Sequence, residues 1–124
     1  MSYGKNLHDH KELIAWQKSI ILVEEVYKMT QSFPKEEMFG IISQMRRCAI
    51  SIPSNIAEGH SRNSTGEFKQ FLGIAKGSSA ELETQLIIAN NLGFIKDEKL
   101  KEVNDLLVDV RKLISGLLRS LNKS

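Results

Sequence analysis

A chain of 124 residues with 41% hydrophobic and 26% charged residues has the composition of an ordinary globular protein, which argues against intrinsic disorder and against a membrane-embedded protein. The formal net charge of +2 permits a nucleic-acid partner but does not require one. This length suits one hydrophobic core, so we expect a single domain over residues 1–124.

Cysteine content and hydropathy predict the cellular location. The only cysteine, Cys48, excludes an intramolecular disulfide and a site with several thiolate ligands within one chain. No apolar run reaches the roughly 18 residues that suggest a membrane-spanning helix, and the N-terminal sequence lacks the apolar centre of a signal peptide. We therefore expect a cytoplasmic protein with no membrane partner.

The first predicted helix covers residues 9–32. Its apolar residues recur every three or four positions, the spacing that places side chains on one face of an α-helix. We expect this face to point into the core: Leu13, Trp16, Ile20, Val23 and Tyr27. Pro34 marks the end of the helix, because proline disfavours helical geometry in the residue before it and suits the first turn of the next helix.

The second predicted helix covers residues 35–59 and ends near Gly59, since glycine readily takes the left-handed conformation of a helix C-terminus. Pro53 lies inside it and lacks the N–H group that would bond to the carbonyl of Ala49, a loss that costs about 3 kcal/mol. We predict a helix kinked near Pro53; the alternative is two short helices joined at Ile52 and Pro53. The predicted core positions are Ile42, Met45, Ala49, Ile52 and Ile56.

The third predicted helix covers residues 65–92. Ser64 and Glu67 have the spacing of a capping box, in which two side chains satisfy free backbone N–H groups reciprocally. Gly73 and Gly77 lie mid-helix, where glycine costs up to about 1 kcal/mol relative to alanine, so we expect a close neighbour such as Trp16. The predicted core positions are Phe68, Leu72, Ala75, Ser79, Leu82, Leu86 and Ala89.

The fourth predicted helix covers residues 98–121, with Asp97 as its N-cap. Its apolar residues keep heptad spacing over three repeats, which is the clearest periodic signal in the chain. The predicted core positions are Leu100, Val103, Leu107, Val110, Ile114, Leu117 and Leu121. Four helices joined by short turns predict an all-α, antiparallel up-down-up-down four-helix bundle.

Two helices carry more apolar residues than one core face needs. The surplus positions are Leu106, Leu113 and Leu118 in the fourth helix and Ile14, Ile21, Leu22, Val26, Met29 and Phe33 in the first. Such surface is expected to be buried between subunits, so we predict a homo-oligomer. The alternative is that these residues broaden the core of a monomer.

The sequence offers little support for catalysis or for a bound metal or cofactor. His8, Asp9 and His10 lie near the N-terminus, and no second cluster of ligands accompanies them. Glu58, His60 and Ser61 are close in sequence, but nothing fixes their geometry or supplies a pocket. We therefore predict no metal site, no cofactor and no enzymatic activity.

Basic residues in the middle of the chain predict a phosphate-binding strip. The candidate nucleic-acid-binding residues are Arg46, Arg47, Arg62, Lys69 and Lys76. Each phosphate that a cation neutralises releases counterions, which favours binding without any reading of base sequence. The alternative is a solvated bundle face on which these cations pair with acids such as Glu24, Glu25 or Glu83.

The segment 44–59, QMRRCAISIPSNIAEG, resembles the signature of the four-helix-bundle proteins encoded in 23S rRNA intervening sequences, although Met45 and Cys48 stand where leucine and alanine are expected. Further similarity lies in Ala15–Lys18, Val26–Pro34, Glu67–Leu72 and Ala75–Leu86. The resemblance implies homopentameric rings and no catalytic residue. A related protein, the accessory variability determinant of diversity-generating retroelements, forms a similar bundle and ring and is associated with reverse transcriptase and nucleic acid.

By this resemblance Arg46, Arg47, Arg62 and Lys69 would face a nucleic acid. For Asn55 and Glu58 we predict a structural polar network that satisfies backbone groups near Pro53 or links helices and subunits. The leading hypothesis is a non-catalytic homo-oligomeric interaction protein, with structured RNA or DNA as a candidate ligand. The alternative is a protein-binding scaffold without nucleic-acid contact.

Overall fold

Four long helices make up most of the chain. The computed structural model describes residues 9–122, and within that range it contains no β-strand. The helices are α1 (Ile14–Thr30), α2 (Ser43–His60), α3 (Thr65–Asn91) and α4 (Asp97–Asn122). Each helix packs against the next, and α1 packs against α4. The predicted antiparallel up-down-up-down four-helix bundle is confirmed.

The core positions predicted for the last three helices are confirmed. Every predicted position in α2 and α3 is buried, and in α4 only Leu100 and Leu117 remain partly exposed at the edge of the core. Spacing of three and four residues identified these positions, and in α4 the heptad series marked the core although Leu106, Leu113 and Leu118 widen its apolar stripe. The most extensive helix–helix packing is between α2 and α3.

The core face predicted for α1 is wrong. The buried side of α1 consists of Ala15, Ser19, Leu22, Val26, Met29 and Thr30. The predicted core residues lie beside this face, where Leu13, Trp16, Ile20 and Val23 are half-buried and Tyr27 is 36% exposed. Both series recur every three or four residues, so periodicity alone does not distinguish the core side of a helix with so wide an apolar stripe.

The first helix begins later than predicted. Asp9 caps a separate 3-10 turn, His10–Glu12, by accepting a hydrogen bond of 2.7 Å from the backbone N–H of Lys11. Leu13 then has an extended backbone, with ψ at 127°, and α1 starts at Ile14. The predicted start at residue 9 therefore belongs to this short turn, because the cap serves the turn and not the long helix.

The second helix also begins later than the predicted residue 35. A 3-10 turn, Lys35–Glu37, and a π-helical segment, Met38–Ile42, precede α2. Gly40 has non-helical angles, with φ at −110° and ψ at −115°, and Ser43 donates a hydrogen bond to its carbonyl. Glycine has low helix propensity, so the backbone departs from the helix here. From Ser43, α2 runs through Pro53 without a break, and the alternative of two short helices is wrong.

Glycine has a different role in α2 and α3 from the one predicted. A Cβ at Gly59 would lie 2.7 Å from the Cβ of Phe71, so Gly59 permits close packing of α2 on α3 and does not end the helix in the left-handed conformation. No such contact lies within 4 Å of a Cβ at Gly73 or Gly77, so the expected packing of Trp16 against them is wrong. The left-handed glycine is Gly93, with φ at 81°, just beyond α3.

The N-cap predicted for α3, Ser64, is confirmed, and the N-cap predicted for α4, Asp97, is wrong. Ser64 accepts a hydrogen bond of 3.1 Å from the backbone N–H of Glu67, and its hydroxyl donates to the Glu67 carboxylate. Ser64 is therefore confirmed as the cap of α3, whereas the Glu67 carboxylate bonds to the Ser64 hydroxyl in place of the backbone N–H expected for a reciprocal capping box. Asp97 is the first residue of α4 and not its N-cap, and its carboxylate accepts a hydrogen bond from Asn90. This bond joins the end of α3 to the start of α4.

Candidate functional site

Arg46 lies in the groove between α1 and α2. Its Nε donates a hydrogen bond of 2.9 Å to the hydroxyl of Thr30, and its Nη2 donates one of 3.4 Å to the carbonyl of Tyr27. The guanidinium group also lies 4.5 Å from the centre of the Tyr27 ring. A cation at the C-terminal end of α1 complements the helix dipole. Arg46 therefore joins α2 to the end of α1.

Arg62 and Lys69 also form contacts within the chain. The Arg62 guanidinium lies 2.8 Å from the Glu58 carboxylate and 5.0 Å from the centre of the Phe71 ring. Lys69 Nζ donates a hydrogen bond of 2.9 Å to the side-chain oxygen of Asn122, which joins α3 to the end of α4. Both cations thus stabilise the bundle at the end where α2 meets α3.

The other two predicted cations are more available. Arg47 and Lys76 are exposed, and neither forms an ion pair within 4.0 Å in the part of the chain that the structure describes. Arg47 lies near the start of α2 and Arg62 just beyond its end, about 22 Å apart along a helix axis at 1.5 Å per residue. The five cations therefore spread over the two ends of α2 and two different grooves, and they do not form one compact strip.

Two of the three acids considered as partners for the basic strip, Glu25 and Glu83, pair with other cations. Glu83 lies 3.2 Å from Arg111, whose Nε also donates a hydrogen bond to the hydroxyl of Ser79. Glu25 lies within 4.0 Å of both Lys28 and Lys99. The Glu83–Arg111 pair joins α3 to α4 and the Glu25–Lys99 pair joins α1 to α4, whereas Glu25 and Lys28 lie three residues apart within α1. The sequence could not indicate the two pairs between helices because their partners are distant along the chain.

Asn55 and Glu58 have separate local contacts. Asn55 Nδ2 donates a hydrogen bond of 2.7 Å to the carbonyl of Ser51, and not to that of Ala49, which loses its donor at Pro53. Glu58 pairs with Arg62 one helical turn later. Both contacts stabilise the C-terminal half of α2. A role for either residue in linking subunits stays a prediction.

The polar residues around the end of α2 are part of the packed structure. His60 is buried, and its ring meets that of Phe68 edge-on at 5.7 Å. The Ser61 hydroxyl donates a hydrogen bond of 2.7 Å to the carbonyl of Glu58. Among residues 9–122 no cluster of three or more His, Cys, Asp or Glu side chains could hold a metal ion. His8 lies outside the described residues, and His10 packs edge-on against Trp16.

An apolar surface extends along α1 and α2 on the outside of the bundle. We call it the α1–α2 face: Trp16, Ile20, Val23, Tyr27, Met38 and Ile50. A groove of about 290 Å³ lies along part of it and is also lined by Pro53 and Ala57. Met38 is 43% exposed, Ile50 is 41% exposed, and the adjacent Phe39 is 96% exposed. Helices in the described range are too short or too polar to cross a membrane.

A polar cleft of about 430 Å³ lies between α2 and α3. We call it the α2–α3 cleft, and its lining residues are Gln44, Arg47, Cys48, Ser51, Ser78, Glu81 and Gln85. At its base the thiol of Cys48 donates to the carbonyl of Ser78 at 3.0 Å, and the hydroxyls of Ser51 and Ser78 are hydrogen-bonded. Burial raises the pKa of the Cys48 thiol to about 12, and the nearby Glu81 carboxylate adds to the rise. The thiol is therefore protonated at neutral pH and is not a nucleophile.

One buried acceptor in this cleft has no partner. The side-chain oxygen of Gln85, Oε1, is buried and accepts no hydrogen bond from the described part of the chain. Leaving a buried polar atom unsatisfied costs about 1–3 kcal/mol, so such atoms are rare and indicate a missing partner. Sequence reasoning missed the cleft. Its signal is a polar stripe at spacing three and four beside the core stripe of each helix: Gln44, Arg47, Ser51 and Ser78, Glu81, Gln85.

Comparison with known proteins gives a family and a fold. A family model described as 23S rRNA-intervening sequence protein matches residues 11–116. A crystal structure of a protein of unknown function from the S23 ribosomal protein family of Bacteroides thetaiotaomicron superposes with a TM-score of 0.76 at 23% sequence identity, covering 85% of this chain and 98% of that one. No curated protein matches the chain. Because the family model covers most of the sequence, this chain belongs to the 23S rRNA-intervening sequence protein family.

Proposed function

We propose that this chain is a non-catalytic subunit of a cytoplasmic homo-oligomer whose contacts use the α1–α2 face. The observation that carries the proposal is the exposure of large apolar side chains on and beside this face, above all Phe39 at 96%. Burying apolar surface stabilises an interface by about 25 cal/mol per Å², and contiguous exposed apolar surface typically marks an interaction site.

The shape of this surface supports a head-to-tail contact. Met38 and Phe39 project from the segment before α2, whereas the groove beside Trp16 and Ile20 lies further along α2, near Pro53 and Ala57. A projection and a groove at different places on one subunit form a heterologous contact when the projection of one copy enters the groove of the next. Heterologous contacts close into rings or continue as filaments. This arrangement fits the homopentameric ring that the family resemblance implies.

Of the two ligand classes that the sequence suggests, the contacts favour a protein partner. Arg46, Arg62 and Lys69 are engaged within the bundle, which leaves Arg47 and Lys76 as available cations from the predicted strip. Two separated cations give a weak electrostatic footprint for a nucleic acid. The proposed role is therefore a self-assembling scaffold, and RNA or DNA binding stays a prediction.

Self-association is tested by light scattering at micromolar concentration. A pentamer of the 14.0 kDa chain would have a mass of about 70 kDa. Replacing Phe39→Ser is expected to lower the mass towards that of the monomer, because it removes the most exposed apolar side chain near the face. The matched control is Ile74→Ser on α3, an exposed apolar residue away from the α1–α2 face, and it should keep the wild-type mass.

Two results would contradict the proposal. One is a wild-type mass of 14.0 kDa at micromolar concentration. The other is an oligomer that Phe39→Ser leaves intact and Ile74→Ser dissociates, since the contact would then lie on α3.

Nucleic-acid binding is tested by titrating salt. If the basic residues bind phosphates, affinity for structured RNA or DNA should fall by orders of magnitude between about 50 and 200 mM salt, and the slope should become smaller in Arg47→Gln. No measurable binding at 50 mM salt, or an affinity unchanged when Arg46, Arg47 and Arg62 become glutamate, would remove this hypothesis. Because Arg46 contributes to folding, the Arg47 variant alone is the cleaner comparison.

A further inference from the structure

The α2–α3 cleft has features that self-association does not explain. It is lined by a cation, Arg47, and an anion, Glu81, yet these two side chains form no ion pair within 4.0 Å in residues 9–122. Both are exposed at the rim, one on α2 and the other on α3. Because Arg47 and Glu81 do not pair with each other, each can bind a ligand group of the opposite charge, one on either side of the cleft.

The floor of the cleft supplies a third binding point. Gln85 Oε1 is buried and accepts no hydrogen bond from residues 9–122. The Glu81 carboxylate lies one turn away on the same helix, but it is an acceptor and cannot supply the donor. Cys48, Ser51 and Ser78 bond to one another or to nearby backbone, and the Cys48 thiol also lies 3.6 Å from Oε1 of Glu81, which leaves the other carboxylate oxygen of Glu81 for a ligand. On the α3 side the cleft therefore lacks a hydrogen-bond donor next to the Glu81 carboxylate. On the α2 side it lacks an acceptor next to the Arg47 guanidinium group.

The size of the cleft distinguishes a ligand from a single water molecule. A water takes about 30 Å³ of liquid volume, and small-molecule sites span about 300–1,000 Å³. The cleft has about 430 Å³, which is enough for a small organic molecule with both kinds of group. Positively charged donors such as an ammonium group bond most strongly to a carboxylate and an amide oxygen, and carboxylates bond most strongly to arginine.

From these observations we propose that the α2–α3 cleft binds a small zwitterion, a molecule of amino-acid size with one ammonium and one carboxylate group. The ammonium group lies against Glu81, and the Gln85 side chain turns to bring its buried oxygen to this group. The carboxylate lies against Arg47, with Gln44 beside it at the rim. Arg47 also borders the part of the α1–α2 face formed by Tyr27, Met38 and Ile50, but Glu81 and Gln85 do not, and the proposal does not depend on self-association.

The test is a titration with unbranched amino acids that differ only in the distance between their charges. The probes are glycine, β-alanine, 4-aminobutyrate, 5-aminovalerate and 6-aminohexanoate, each followed by calorimetry or by amide chemical shifts of the full chain. At least one probe should bind saturably, with a Kd of millimolar order or lower. Butyrate and butylammonium, which carry one charge each, should bind at least about tenfold more weakly than that probe.

Variants at the rim assign the site. Arg47→Gln and Glu81→Gln should each weaken binding of the best probe about tenfold or more, because each removes one charged partner at an exposed position. The control is Lys76→Gln, which removes an exposed cation that does not line the cleft and should leave the Kd unchanged. Repeating the titration with Phe39→Ser should give the wild-type Kd, which separates this proposal from the assembly proposal.

Three results would overturn the inference. The first is no saturable binding by any zwitterion of the series. A second is equal binding of the singly charged compounds, which would show that the two charges do not act together. Equal binding by wild type, Arg47→Gln and Glu81→Gln would place the ligand elsewhere on the protein.

Discussion

Helix α2 packs differently against its two neighbours, α3 on one side and α1 on the other. Against α3, α2 packs closely through Gly59 and encloses a polar cleft around Cys48. Against α1, it leaves a long apolar surface open, with Trp16 and Ile20 only half-buried. On the closed side, against α3, the predicted core positions are buried, whereas on the open side, against α1, the predicted core residues of α1 stay partly exposed. The comparison teaches that an apolar stripe identifies a buried face but not whether the same chain or a second copy covers it.

The largest expected effect tests which side of α1 lies in the core. Leu22→Ala removes a fully buried side chain and should lower the free energy of unfolding by about 2–5 kcal/mol. Ile20→Ala changes a half-buried residue of the α1–α2 face and should cost less than half as much in the monomer. Urea unfolding at low protein concentration measures both. A larger loss for Ile20→Ala would restore the core face expected from the sequence.

A second prediction tests the closed side. Gly59→Ala places a Cβ 2.7 Å from the Cβ of Phe71 and 2.9 Å from Cδ1 of Phe68, so α2 and α3 must move apart. We expect a loss of about 1–3 kcal/mol in the free energy of unfolding. Gly73→Ala is the matched control, because its Cβ meets no such contact and alanine favours a helix by about 1 kcal/mol. Thermal unfolding of the pair should therefore shift in opposite directions.

A third prediction compares the neighbouring residues Arg46 and Arg47, for which we expect smaller changes in the free energy of unfolding. Arg46→Met keeps the length of the side chain but removes its hydrogen bonds to Thr30 and Tyr27, and it should destabilise the protein by about 1–2 kcal/mol. Arg47→Met removes an exposed cation without a pairing partner in the described range and should change stability by less than about 0.5 kcal/mol. Equal effects in urea unfolding would contradict the assignment of Arg46 to the α1–α2 groove.

The smallest expected effect concerns pH. The Cys48 pKa is about 12 in the folded chain and 9.0 in the reference state, so the unfolded chain loses this proton at lower pH than the folded chain does. Above pH 9 the folded state then binds more protons from this group, and its contribution to stability falls as pH rises from 9 to 12. Stability measured from pH 8 to 10 should decline more steeply in wild type than in Cys48→Ala. Parallel profiles would show that this thiol is not buried as described.

The extent to which the sequence predicted the structure differs between these two sides. In α2, α3 and α4, the apolar series at three- and four-residue spacing was sufficient to identify the core, and the serine cap at Ser64 followed from a local motif. In α1, two overlapping stripes satisfied the same spacing, and the choice between them depends on how three other helices pack around it. Gly40 is a further example, because its backbone departs from the helix inside the π-helical segment before α2, and the spacing of apolar residues does not report such a departure.

The sites were harder to predict than the helices. The five cations were selected for charge, but Arg46 and Lys69 bond to residues far away in the sequence, so their partners are set by the tertiary fold. The α2–α3 cleft was not predicted at all. Its defining observation, a buried Gln85 oxygen that accepts no hydrogen bond from residues 9–122, concerns partners in three dimensions, and residue spacing carries no such information.

The most direct test of the central claim uses the single tryptophan of the chain, Trp16, which lies on the α1–α2 face. If a second copy covers this face, acrylamide should quench Trp16 fluorescence clearly less in the wild-type assembly than in monomeric Phe39→Ser. Equal quenching of an assembled wild type and a monomeric variant would show that the face stays open to solvent. That result would contradict the account.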